Sequence, residues 1–189
     1  MRIVAGTFRG RQLVAPKGQS TRPTADRTRQ ALYNVLEHAT WAGGLRGKRV
    51  IDAFAGSGAL GLEAISRGAA FCLFLDRAAA ARDAIGANVG GLKLADRTRI
   101  DSRDPSTLST RSIGDGAPFD LVFLDPPYGL GLGEAALERL AAGAWLAAGA
   151  LAVLERGLAD PAPAPAGFQL LDERTWGAAR VSFLSPLAP

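Results

Sequence analysis

The spacing of hydrophobic positions changes along the chain, and the first forty residues form one pattern. Apolar and polar side chains alternate over residues 2–6 and 10–15, which predicts the two short strands of a β-hairpin. Apolar positions then recur at helical spacing over residues 25–38, and Thr24 is the predicted N-cap of this helix. This part of the sequence therefore predicts a hairpin followed by one helix.

From residue 49 onward, short apolar strands alternate with helices. The predicted strands are residues 49–54, 71–76, 98–101, 119–125, 150–155, 168–176 and 178–184. The predicted helices are residues 58–68, 77–89 and 132–143. Such alternation is typical of a parallel sheet covered on both faces, and the last two strands add an antiparallel edge. The predicted fold is therefore α/β, with a mostly parallel seven-stranded sheet.

Charge and composition add information mainly about the start of the chain. The net charge is +4, but residues 1–30 carry +6 and the remainder carries −2. Such a basic segment either stays solvated or contacts phosphates, and composition alone leaves both interpretations open. With one cysteine and one histidine, the chain excludes a Cys/His metal site and an internal disulfide. We therefore expect no metal. Because the chain also has no long apolar run and no signal-like start, we expect no membrane span and a cytoplasmic location.

A glycine-rich loop follows the first strand of the alternating region. Gly56, Gly58 and Gly61 form a GxGxxG pattern between a strand and a helix, where a nucleotide-type ligand can approach the backbone closely. The next strand ends in Asp76, at the distance where a ribose-binding acid is expected. This pattern alone fits a dinucleotide oxidoreductase and a nucleoside-binding methyltransferase equally well.

Asp52, inside the strand just before the glycines, favours a methyl donor. A carboxylate at this point would repel a pyrophosphate, whereas it would attract the ammonium and sulfonium groups of S-adenosylmethionine. The alternative is an aspartate that only caps the following turn.

The apolar strand 119–125 ends in Asp125, which is followed by Pro126, Pro127 and Tyr128. Two prolines remove two backbone donors, so this segment presents hydrogen-bond acceptors beside a flat aromatic ring. Such a surface suits the exocyclic amine of a nucleobase, because accepting its N–H bonds aims the nitrogen lone pair at a methyl donor. The alternative is a rigid turn, which would leave the coincidence with the upstream glycine loop unexplained.

These motifs together resemble a known family, the bacterial small-subunit ribosomal RNA guanine-N2 methyltransferases that modify 16S rRNA. The similar segments run almost from end to end: RIVAGTFRGRQL, RPTADRTRQALYNVL, DAFAGSGALGLEAISRGA, LDPPYG and GAARVSFL. The resemblance implies a Rossmann-like class I methyltransferase that uses S-adenosylmethionine. It also implies a flipped guanine of 16S rRNA, within a small-subunit particle or assembly intermediate, as the substrate. We expect a monomer with an extension at residues 1–40 and a methyltransferase domain at residues 41–189.

The resemblance also implies roles for individual residues. The residues expected to form the catalytic pocket are Asp125, Pro126, Pro127 and Tyr128. Those expected to bind the cofactor are Asp52, Ala55, Gly56, Ser57, Gly58, Asp76 and Asp104. Those expected to contact RNA phosphates are Arg9, Arg11, Arg22 and Arg27. After the third strand such enzymes usually carry an acid followed by alanine, whereas this chain reads IDSRDPSTL, so Arg103 or Asp104 is expected beside the adenine.

Several alternatives remain at this point. A DNA adenine-N6 or cytosine-N4 amino-methyltransferase would use the same pocket. A protein glutamine methyltransferase is disfavoured because those enzymes usually carry asparagine where Asp125 stands. A dinucleotide oxidoreductase needs a proton relay for which no convincing residue follows the glycine loop, and a non-catalytic RNA-binding protein would leave the DPPY segment without a role.

Overall fold

Seven strands form one sheet in the computed structural model, which describes residues 1–16, 23–163 and 165–187. The strands are β1 Arg49–Ala53, β2 Phe71–Leu75, β3 Thr98–Asp101, β4 Phe119–Leu124, β5 Leu146–Gly157, β6 Phe168–Trp176 and β7 Ala179–Pro186. Their order is β3-β2-β1-β4-β5-β7-β6. The first five strands are parallel, and β7 pairs antiparallel with both β5 and β6. The predicted α/β fold is therefore confirmed, including its antiparallel edge.

Helices cover both faces of this sheet. They are α1 Pro23–His38, α2 Ala59–Ser66, α3 Ala79–Leu92 and α4 Leu132–Ala142. Successive residues of β1 point in opposite directions, so Val50 belongs to the apolar cluster under α1, α2 and α3, whereas Ile51 belongs to the cluster under α4. Burial on both faces explains why the central strands are continuous apolar runs.

The N-terminal hairpin is shorter than the alternation predicts. One isolated antiparallel bridge, between Arg2 and Gln12, joins the two segments, together with backbone hydrogen bonds donated by Ile3, Gly10 and Leu13. The backbone N–H groups of Val4 and Ala5 instead donate to the buried carboxylate of Glu63 in α2, at 2.7 and 2.9 Å. The predicted hairpin is therefore present, but it does not form two regular strands because a helix side chain, rather than the opposite segment, binds the N–H groups of Val4 and Ala5.

The N-terminal residues pack into the same core as the sheet. Ile3 and Leu13 belong to one buried cluster with Leu36 of α1 and Phe123 of β4. The boundary expected at residue 40 stays a prediction. Within the described ranges, every helix is too short or too polar to cross a bilayer. In the described part of the chain, no three His, Cys, Asp or Glu side chains are arranged so that they could hold a metal ion.

Candidate active site

Three carboxylates line one pocket near the carboxyl ends of β1, β4 and β5. Strand β4 lies between the other two, with Ala53 opposite Leu124 and Leu124 opposite Leu154. The three carboxylates are those of Asp52 of β1, Asp125 after β4 and Glu155 of β5. They consequently lie at the carboxyl-terminal end of the sheet, on strands about 4.8 Å apart. The strand order also reverses direction between β1 and β4, and in open α/β sheets ligands bind at such a point.

Two cavities open at this end of the sheet. The α1 cavity, about 460 Å³, lies between α1, the glycine loop and the β6–β7 turn. The α3 cavity, about 800 Å³, lies between the start of α3, residues 104–105 and the DPPY segment. Phe54, Gly56, Asp125 and Tyr128 line both cavities. Each has the size of a small-molecule site, and Asp125 stands where the two adjoin.

The residues of the glycine loop, 55–58, either line a cavity or pack against the protein interior. Gly56 has a φ of +55° and open space where a Cβ would be, and it lines both cavities. Ala55 and Ser57 line the α1 cavity. Gly58 faces the protein instead, because a Cβ there would lie 3.1 Å from the Phe74 ring. Of these four predicted cofactor residues, Gly58 is therefore the one that supports the loop from behind rather than lining a cavity.

Asp52 is almost completely buried and nevertheless lines the α1 cavity. Its carboxylate accepts the Gly61 N–H at 2.8 Å, so the turn-capping interpretation is also correct. Burial raises the pKa of Asp52 to about 8, the Gly61 N–H opposes this rise, and the negative charges of Asp125 and Asp76 add to it. No lysine or arginine of the described residues forms an ion pair with Asp52. A cation in the α1 cavity would therefore stabilise its ionised form.

Asp76 connects the glycine loop with α3. Its two carboxylate oxygens accept the N–H groups of Gly56 and Ala78, each at 2.9 Å. The side chain lines the α3 cavity and keeps further lone pairs for a ligand hydroxyl.

The structure separates the two candidates after β3. Arg103 turns away from the cavities and binds Asp101 and Asp115 at 2.8 and 2.7 Å. Asp104 lines the α3 cavity, and its hydrogen bond with the Ser106 hydroxyl lowers its pKa. Of the two, Asp104 is therefore the residue placed to meet a ligand.

The DPPY segment forms the wall between the cavities. The Asp125 carboxylate is solvent-accessible and accepts no hydrogen bond from the described residues. The protein encloses it on its other sides, and this burial, followed by the negative charge of Glu155, raises its pKa. Pro126 and Pro127 line the α3 cavity.

Tyr128 is fixed by strand β5. Its hydroxyl donates to Oε1 of Glu155 at 2.7 Å. Its ring lies against Gly157, where a Cβ would come within 3.0 Å of the Tyr128 Cδ2 atom. Sequence reasoning missed Glu155, although the predicted strand 150–155 ends in a carboxylate after an apolar run, just as the predicted strand 119–125 does.

The predicted RNA-binding arginines differ in their surroundings. Arg9 and Arg27 are exposed, and Arg11 is exposed while donating to the Gly91 carbonyl of α3 at 3.0 Å. Arg22 lies outside the described residues. Their contacts with RNA stay a prediction.

Comparisons with known proteins extend over most of the chain. Residues 1–185 match the family described as conserved hypothetical protein 95. The chain is 36% identical to ribosomal RNA small subunit methyltransferase D of Escherichia coli K12 over 178 residues, which cover 94% of this chain and 85% of that protein. It is 34% identical to the enzyme of the same name from Haemophilus influenzae, with 94% and 89% covered.

Solved structures show the same fold. The Escherichia coli protein yhhF has a TM-score of 0.82 and 33% identity, with 100% of this chain and 99% of that chain covered. Magnesium protoporphyrin IX methyltransferase from Synechocystis, solved with bound SAM, has a TM-score of 0.60 at 17% identity, with 89% and 86% covered. The class I methyltransferase fold predicted from the sequence is therefore confirmed.

Proposed function

This chain belongs to the conserved hypothetical protein 95 family, and we propose that it methylates the exocyclic N2 amine of a guanine in 16S rRNA with S-adenosylmethionine as the donor. Its relatives, the small-subunit rRNA methyltransferases of two bacteria, support rRNA methylation and agree with the resemblance read from the sequence. The substrate is a small-subunit particle or assembly intermediate, so the reaction takes place in the cytoplasm.

The observation that carries this proposal is the position of Asp125, whose carboxylate accepts no hydrogen bond from the described residues and stands at the boundary of two ligand-sized cavities. The chemistry of the surrounding residues fits the donor. Asp52 would hold its ammonium group, Asp76 its ribose hydroxyls, and Asp104 would lie beside its adenine. When bound, S-adenosylmethionine supplies an electrophilic methyl group attached to a sulfonium.

The protein residues then act on the nucleobase. A guanine amine is a weak nucleophile because its lone pair is delocalised into the ring. Asp125 would accept its N–H bonds and favour the pyramidal nitrogen that attacks, while Tyr128 would support the base plane. Because burial raises the pKa of Asp125, its carboxylate can also take the proton that the nitrogen loses on methylation.

The N-terminal arm would contact the RNA backbone. Exposed Arg9 and Arg27 lie on segments that pack against the face carrying the α1 cavity, whose lining includes Met1 and Thr28. Replacing Arg9 and Arg27 by glutamine should lower the slope of log affinity against log salt by about 0.7–0.9 for each phosphate that the arm no longer neutralises. An unchanged slope in a filter-binding titration would assign the arm to solvation alone.

The decisive experiment measures transfer of labelled methyl groups to small-subunit particles from a strain that lacks this protein. Asp125→Asn should lower turnover by about 10²-fold or more, because the amide keeps only one acceptor oxygen, its NH₂ group opposes the second substrate N–H, and it has no charge with which to take the proton. Cofactor affinity, measured by calorimetry, should be unchanged. Asp83→Asn, an exposed aspartate of α3, removes the same charge away from the cavities and serves as the control.

Duplex DNA is assayed in parallel with the ribosomal particles. Methylation of the DNA but not of the particles would replace the rRNA proposal by the amino-methyltransferase of adenine or cytosine. Full turnover by Asp125→Asn would remove Asp125 from the mechanism.

A further inference from the structure

Glu155 gives the α1 cavity a second acceptor next to Asp125. Strands β4 and β5 are parallel neighbours with Leu124 opposite Leu154. The next residues, Asp125 and Glu155, therefore stand side by side at the carboxyl-terminal end of the sheet. Both side chains line the α1 cavity, and the negative charge of Glu155 adds to the rise that burial causes in the pKa of Asp125. The mechanism above uses Asp125 and leaves Glu155 without a role.

The contacts of Glu155 fix one oxygen and leave the other available. Oε1 accepts the Tyr128 hydroxyl at 2.7 Å, whereas Oε2 accepts no hydrogen bond from the described residues. None of the ion pairs formed by the described lysines and arginines involves Glu155. Burial raises the pKa of Glu155, and the hydrogen bond from the Tyr128 hydroxyl opposes this rise. Tyr128 thus holds the carboxylate in place with Oε1 as an acceptor, and in its ionised form the group can only accept hydrogen bonds.

Nucleobases differ in the atom beside their exocyclic amine. In guanine the amine lies between N3, which accepts, and N1, which carries a hydrogen and donates. In adenine and cytosine the neighbouring ring nitrogen has a lone pair and accepts. Two adjacent acceptors therefore match guanine, while the second would face a lone pair in adenine or cytosine.

We propose that Glu155 is a specificity residue that accepts the N1–H of the target guanine while Asp125 accepts from its N2 amine. This inference rests on the proposed function and adds the reason why the pocket takes guanine. A site that leaves a buried polar group unpaired rejects the wrong ligand strongly, so the discrimination should be at least about tenfold.

The test uses 2-aminopurine, which keeps the 2-amine of guanine but has a lone pair at N1. The methylated nucleotide is first mapped, and particles are then reconstituted with guanine or 2-aminopurine at that position. The wild-type enzyme should have a kcat/KM at least about tenfold higher for guanine. In Glu155→Gln the side-chain oxygen still accepts from Tyr128, so the amide NH₂ faces N1. The ratio of the two kcat/KM values should then fall at least about tenfold, because this NH₂ opposes guanine and pairs with 2-aminopurine.

Controls separate specificity from folding. Glu138→Gln makes the same chemical change on the exposed face of α4, where the oxygen can still accept the Ala166 N–H, and should leave the ratio unchanged. Calorimetry with S-adenosylmethionine verifies that Glu155→Gln keeps its fold. If that variant does not fold, Glu155→Asp withdraws the acceptor by one methylene and should also lower the ratio.

Different results would contradict the role of Glu155 and the proposed methyltransferase function. An equal fall of both kcat/KM values in the variant, or a wild-type ratio near one, would overturn the role of Glu155 while leaving the methyltransferase proposal intact. No methylation of any guanine by the wild-type enzyme would instead remove the proposed function itself.

Discussion

The buried carboxylate of Glu63 allows the sharpest stability prediction. Its side chain has no solvent exposure and accepts the N–H groups of Val4 and Ala5 at 2.7 and 2.9 Å. It also binds the guanidinium of Arg67 at 2.9 Å and lies 3.6 Å from that of Arg29. Glu63→Gln keeps the shape of the side chain but removes the charge that both buried arginines face.

The expected cost follows from these contacts. Breaking a buried ion pair by neutralising one partner costs about 3–5 kcal/mol, because the remaining charge stays desolvated. The glutamine NH₂ group cannot accept, so at least one of the two backbone donors also loses its partner. In a chain of this length, about 3 kcal/mol corresponds to a fall in Tm of roughly 6–12 °C.

The chain provides a closely matched control. Glu37 of α1 binds the same Arg67 at 3.0 Å, but 34% of its side chain is exposed. Glu37→Gln should cost less than about 1 kcal/mol, because solvent screens the pair and hydrates the remaining charge. Calorimetric melting and urea unfolding of the two variants measure the difference, and hydrogen exchange of the Val4 and Ala5 amides reports whether the N-terminal segment leaves α2.

Equal losses of stability in the two variants would refute this reasoning, since they would show that burial does not determine how much the Glu63 contacts contribute to the free energy of unfolding. Unchanged protection of the Val4 and Ala5 amides in Glu63→Gln would show that the carboxylate does not anchor the N-terminal segment.

Two further predictions concern the glycine loop and its neighbours. Because the pKa of Asp52 is raised to about 8, the folded state binds a proton that the unfolded state has released, and stability should fall as pH rises from about 4 to 8. Asp52→Asn should therefore flatten this fall in urea unfolding while weakening S-adenosylmethionine binding in calorimetry; a parallel pH profile would contradict the assignment. Gly61→Ala should cost about 1–3 kcal/mol, because its Cβ would lie 2.4 Å from the Cys72 sulfur and 2.5 Å from the Phe74 ring. Gly90→Ala in α3 meets nothing within 4 Å and should be neutral or stabilising, so equal costs for the two variants would argue against close packing as the cause.

The sequence by itself determined the order of strands and helices and the two loops that carry the chemistry. The period of apolar positions is a local property, so the central strands and their helices were found with errors of only a few residues. The largest boundary error is in β5, which begins at Leu146 and not at residue 150 because Leu146 pairs with Phe119 of β4. Glycine widens and proline narrows the range of backbone conformations at its own position, so the glycine loop and the DPPY segment could also be located without a structure.

Tertiary structure decided everything that depends on which segments are neighbours. Glu155 became a candidate only when β5 was placed beside β4, and Asp104 was chosen over Arg103 only when their side chains were seen to point in different directions. The irregular pairing of the N-terminal hairpin has a related cause, since Glu63 is distant in sequence from the backbone that it binds. Such contacts join residues far apart along the chain, and local spacing carries no information about them.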